Sequence, residues 1–135
     1  MRIGVFARTF DGGDPAAVLA ASRDAGFGMV QYNMACSGLG SLPETIPDDA
    51  VRRVRDAAAA TGVGIAAVSA TYNMTDPDPA RLAAGRRAFI AICERARDMG
   101  TRLVTVCSGS KHAHDKWHRH PSNSDPQSWT EMCRE

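Results

Sequence analysis

The 135-residue chain lacks most of the features that announce a function at sight. Charge of one sign is not in excess: 16 Lys and Arg stand against 15 Asp and Glu, a formal net charge of +1. That leaves no global field to steer the chain toward nucleic acid or an anionic membrane. The four cysteines, Cys36, Cys93, Cys107 and Cys133, form no C-x-x-C pair and no dense framework. Their spacing excludes a zinc ribbon or a disulfide scaffold and fits reduced thiols in the cytosol. No apolar run approaches membrane-spanning length, and the opening Met1-Arg2-Ile3-Gly4-Val5-Phe6-Ala7 lacks a signal-peptide core. The chain therefore reads as soluble and cytoplasmic. Arg8-Thr9-Phe10-Asp11-Gly12-Gly13 matches neither G-x-G-x-x-G nor G-x-x-x-x-G-K-S/T, so the usual phosphate-cradling glycine loop is missing after the first apolar run. At 44% apolar the chain supports one core, and residues 1–135 read as a single domain.

What is present is a repeated unit. Gly26, Gly62 and Gly100 each stand three residues before an apolar run, beginning at Met29, Ile65 and Leu103. A glycine just past a helix accepts the left-handed backbone that ends it, and the short apolar run that follows suits a strand buried on both faces. Asp-Pro recurs at Asp14-Pro15, Asp78-Pro79 and Asp125-Pro126. There the aspartate caps free amide donors and the proline fits the first helical turn.

The spacing predicts strands over 2–7, 29–33, 64–70 and 102–107, and helices over 15–25, from about 47, over 79–99 and from 125. Val18, Leu19 and Ser22 form the inward face of the first helix, and Val51, Val54 and Ala58 that of the second. Leu82, Phe89, Cys93 and Ala96 form the stripe of the third, with most of its arginines outside. Apolar strands alternating with amphipathic helices imply parallel pairing and right-handed crossovers. Four such units fill the chain, and eight would need about 270 residues, close to the roughly 250 of a (β/α)8 barrel. The reading is α/β, a parallel (β/α)4 half of a TIM barrel, with its last helix truncated.

In such a barrel the working residues lie at the carboxyl ends of the strands. Here those ends are Arg8-Thr9-Phe10, the stretch from Gln31 to Gly38, the stretch from Thr71 to Asp76, and the stretch from Cys107 to His112. Asn33, Asn73, Ser108 and Ser110 exchange hydrogen bonds without charge, which suits a polyol; the same residues also cap turns. Tyr-Asn-Met occurs twice, at 32–34 and 72–74, either as two corners of one pocket or as rim packing. His112, His114, His118 and His120 share one loop, but not as H-E-x-x-H, and Lys111, Lys116 and Arg119 beside them oppose a dication. The loop therefore reads as solvated and weakly basic, and no metal ligand is assigned. Those three cations, with Trp117 and Trp129, suit a phosphate on a small substrate better than nucleic acid. Cys36 and Cys107 sit at strand ends, where a structural role outweighs a nucleophilic one.

Three stretches together resemble a family: Tyr32-Asn33-Met34-Ala35-Cys36-Ser37-Gly38-Leu39; Val68 to Met74 with Asp76-Pro77-Asp78-Pro79; and Cys107-Ser108-Gly109-Ser110 with Trp117 and His120-Pro121-Ser122-Asn123. They are similar to the sugar phosphate isomerases/epimerases of the xylose isomerase-like barrel superfamily. The resemblance implies proton transfer at a carbon next to a carbonyl, assisted by a divalent metal, Mg, Mn, Co or Zn, in the complete barrel. It also implies that the catalytic and metal-binding groups belong to the second half of the barrel, so none is assigned here and no metal is expected on this part. As substrate contacts it carries over Asn33, Asn73, Ser108, Ser110, Trp117 and His120, to which the charge reading adds Lys111. Relatives often have histidine where Asp76 stands and Arg-Asp where Lys111-His112 stand. A non-catalytic half-barrel module, or a relative of the superfamily's abasic-site endonucleases, are the alternatives, and the neutral charge balance disfavours the second. The partners expected are a small sugar or sugar phosphate and a homodimer or second half-barrel, with no nucleic acid and no membrane. Two unpaired sheet edges predict poor solubility of the chain alone.

Overall fold

The structure, a computed structural model, describes residues 2–135. Four strands, β1 (Gly4–Phe6), β2 (Met29–Tyr32), β3 (Gly64–Ser69) and β4 (Val104–Thr105), alternate with four helices, α1 (Pro15–Asp24), α2 (Asp48–Thr61), α3 (Pro79–Ala96) and α4 (Pro126–Arg134). The sheet order is β1-β2-β3-β4 and every pairing is parallel. The fold is thus α/β and consistent with half of a TIM barrel.

The expected punctuation is visible in the backbone. Gly62, at φ 72°, closes α2 in the left-handed region and passes its N–H to the Ala58 carbonyl at 2.9 Å. Asp14 caps α1 by accepting from the Ala17 N–H at 3.3 Å, and Asp78 caps α3 by accepting from the Ala80 N–H at 2.8 Å. Asp125 departs from the expectation, since its side chain makes no cap hydrogen bond to α4. The outer strands are shorter than the sequence suggests. Each pairs on one side only, so ladder hydrogen bonds hold just three residues of β1 and two of β4.

Val30, Tyr32, Ile65 and Val68 face the helices and form one apolar cluster with Val18, Leu19, Val51, Val54 and Ile92. On α3 the buried residues are Gly85, Ala88, Ile92 and Ala96; of the expected stripe Ala96 is among them, Phe89 packs partly buried against the core, and Cys93 is exposed. The Tyr72 ring lies against Gly85 so closely that a Cβ there would meet its ring carbons at 2.5–2.9 Å. Phe89 of the same helix meets that ring as well, the centroids 6.0 Å apart. On α2, likewise, Ala57 is buried and Ala58 only partly so.

A register shift lies between Val30 and Gln31: Val30 pairs with Ile65 but Gln31 pairs with Ala67, which leaves Ala66 over. Past the shift, Gln31 Nε2 donates to Thr105 Oγ1 at 2.7 Å across β3, on the sheet face away from the helices. Phe6 on β1 is exposed, as are Ile3, Leu103 and Val106 just beyond the ends of the two edge strands.

Candidate functional site

All four strands run the same way, so their carboxyl ends open at one end of the sheet, and the chain there becomes polar. A cavity of about 270 Å³ lies over those ends. Phe6 and Arg8 reach it from β1, Asn33 from β2, Ser69 and Thr71 from β3, and Lys116 and Trp117 from the loop that follows β4. No carboxylate, imidazole or thiol is among its lining residues. The strand ends therefore share one mouth, lined by amide, hydroxyl, cation and indole groups together with the apolar Phe6 and Leu42.

The repeated Tyr-Asn-Met triplets build the same turn twice. Asn33 Oδ1 accepts the Ala35 N–H at 3.0 Å while its carbonyl accepts the Cys36 N–H at 2.9 Å. Asn73 Oδ1 accepts the Thr75 N–H at 3.3 Å while its carbonyl accepts the Asp76 N–H at 3.2 Å. Both are Asx turns, which shape a strand's exit. The copies then diverge. Asn73 Nδ2 donates to the Ser110 carbonyl at 2.8 Å and its Oδ1 accepts the Ser110 N–H at 2.9 Å, clamping the loop after β4 to the loop after β3. Asn33 Nδ2 makes no hydrogen bond among the described residues and borders the mouth.

The remaining expected contacts divide in the same way. Ser110 is buried, its hydroxyl donating to the His118 carbonyl at 2.6 Å and accepting the Asn123 amide at 3.1 Å. Lys111 Nζ pairs with Glu131 on α4, which holds that carboxyl below its ordinary range. His120 Nδ1 accepts the Ser122 N–H at 3.3 Å and caps a short turn. Ser108 is exposed and borders a separate hollow of about 260 Å³ with Thr75 and Trp129. Of the seven expected contacts, Asn33 and Trp117 line the mouth. Sequence reasoning singled out Lys116 only as one of three cations for a phosphate and did not single out Arg8, Ser69 and Thr71 as contacts, although these three lie at or just beyond a strand's carboxyl end. Lys116 Nζ donates to the Thr71 carbonyl and lies 5.4 Å from the Trp117 ring, a cation–π contact that seats the indole beside the mouth.

Ionisation supports these assignments. Burial pushes the Cys36 thiol up, and pushes Cys107 up despite the opposing Lys116 charge, so both favour the neutral thiol rather than a nucleophilic thiolate. Burial, followed by its bond to Glu135, pushes the Tyr72 phenol up to about 12. Burial works to raise the Asp76 carboxyl, but Arg81 and the Asp78 N–H more than offset it and hold the group below the usual carboxylate range.

Metal chemistry needs a donor set. Among the described residues no group of three or more His, Cys, Asp or Glu side chains is placed to hold an ion. His112 Nδ1 already accepts the Asp115 N–H at 3.1 Å. The residues present do not fit a divalent cation. No helix among the described residues is long and apolar enough to cross a membrane.

Residues 19–134 match the sequence model of the family described as xylose isomerase-like TIM barrel. No curated protein and no solved structure matches the chain.

Proposed function

The chain belongs to the xylose isomerase-like TIM barrel family, and we propose that within it this segment is the sugar-holding wall of an isomerase or epimerase. The observation that carries the reading is the mouth itself. Unpaired Asn33 Nδ2, the mutually bonded Ser69 and Thr71 hydroxyls 2.7 Å apart, and the indole of Trp117 converge on one cavity. Neutral donors and acceptors beside an aromatic face match the hydroxyls and the C–H face of a sugar better than they match a bare anion. Arg8 and Lys116 at the rim accommodate a phosphate on such a sugar.

Proton transfer next to a carbonyl needs a group that takes the proton, and no lining residue of the mouth is a carboxylate or an imidazole. In this reading the segment binds and orients. The proton-transferring groups, and the ligands of any divalent metal, come from strands that complete the barrel against the edges of β1 and β4.

The test is ligand-observed NMR with aldoses, ketoses and their phosphates in deuterated buffer containing Mn²⁺. The reading predicts saturation transfer to at least one sugar, without deuterium uptake at carbon by this chain alone. Uptake by the chain alone overturns the division of labour, and absence of any sugar binding overturns the sugar reading.

A further inference from the structure

Beside the mouth lies a second, larger hollow of about 550 Å³, walled by Tyr72, by Ala84 of α3, and by His112, His114, Asp115 and Trp117 of the loop after β4. Trp117 and Lys116 line both spaces. Ordinary ligand pockets run from roughly 300 to 1,000 Å³, so the mouth falls short of that range alone and the outer hollow falls within it.

The charges around the hollow are mostly answered from within the chain. Arg81 is held by Asp76 and Asp78, and Glu44 by Arg87, whereas Lys116 donates to the neutral Thr71 carbonyl and keeps its charge. Asp115 is the anion beside it in sequence. Its Oδ1 accepts the Trp117 N–H at 2.8 Å, and it has no ion-pair partner among the described residues. His112 commits Nδ1 to the loop backbone and keeps Nε2. What remains for a ligand is a carboxylate oxygen, imidazole nitrogen and an indole that is 70% exposed. The two charges without an ion-pair partner, Asp115 and Lys116, are of opposite sign and leave no surplus for a second phosphate, whereas a carboxylate and an imidazole beside an indole face suit a neutral ring bearing hydroxyls.

We propose that the outer hollow is a subsite for a second sugar ring, so that the substrate class is a reducing disaccharide rather than a free monosaccharide. This rests on the sugar reading of the mouth. One ring occupies the mouth, the second occupies the hollow, and Trp117 borders both.

Binding of glucose is compared with that of maltose, cellobiose and lactose, on the native chain and on Ala84→Phe, which fills the outer hollow while every residue lining the mouth is kept. At least one disaccharide is expected to bind about tenfold more tightly than glucose. Ala84→Phe is expected to erase that advantage while leaving glucose binding within about twofold. Asp115→Asn, which keeps the acceptor for the Trp117 N–H, is a second variant independent of helix packing, expected to shrink the advantage by about threefold or more. Equal affinity for glucose and every disaccharide overturns the subsite, as does an advantage that survives both variants. Failure of glucose and disaccharides alike removes the sugar reading on which the subsite rests.

Discussion

Arg81 grips Asp76 with two hydrogen bonds, at 2.7 and 3.1 Å, and the same guanidinium donates to the Ala113 carbonyl at 2.9 Å. A position where the resemblance places a histidine is here one end of an ion pair that ties the loop after β3 to the start of α3 and to the loop after β4. The carboxylate is largely buried while Arg81 is half exposed, so solvent screens part of the attraction.

The pair predicts an acid-dependent stability. A carboxyl held below its ordinary value contributes stability that is complete above the unfolded value, about 3.9 for Asp, and is lost as pH falls through the folded value. Asp76→Asn is therefore expected to lower the melting temperature by a few degrees at pH 6. The gap from the native chain should close below about pH 4. Melting followed by circular dichroism across pH 3–7 measures it, and a gap independent of pH would mean that the pair does not act through charge.

Asn73→Ala removes both bonds to the Ser110 backbone. At about 1 kcal/mol for each net hydrogen bond, urea unfolding should show a loss of about 2 kcal/mol. The loop carrying Lys116 and Trp117 should lose protection from amide exchange before the sheet does. If Asn73 contacts ligand without holding the loop, the exchange pattern will be unchanged.

Gly85→Ala sets two effects against each other. In an ordinary helix interior the change favours folding by about 0.5–1 kcal/mol. Against the Tyr72 ring the added methyl overpacks a filled space, at about 1–3 kcal/mol. Net destabilisation in urea is the expected result, and a stabilised variant would show that the ring can move aside.

The glycine and Asp-Pro punctuation made the order of elements legible, because left-handed caps and first-turn prolines are local devices that tertiary packing does not override. Gly62 and Asp78 behave as their neighbours in sequence suggest. Strand lengths were not legible: residues flanking Val104 and Thr105 are apolar enough for a strand, but only β3 is beside them to pair with. On α3, Ala96 and Phe89 were placed on the inward side and Cys93 was not, and nothing local shows that the Tyr72 ring presses on Gly85. The site was half legible for a similar reason. Sequence marks which polar residues stand at strand ends, yet Asn33 and Asn73 share a triplet and a turn, and only three-dimensional proximity to Ser110 occupies the amide of one and leaves the other's free.

Asn33 Nδ2 and the Trp117 indole bordering one mouth make the sugar reading directly measurable, by two-dimensional NMR of the isotope-labelled chain as hexoses, disaccharides and hexose phosphates are added. The Asn33 side-chain amide and the Trp117 indole N–H resonances should shift together and saturably. Asn33→Ser, which keeps a turn-capping oxygen but lacks the amide donor, should weaken binding about five- to tenfold. Sugar-induced shifts confined to residues away from the mouth, or full affinity in Asn33→Ser, would contradict it.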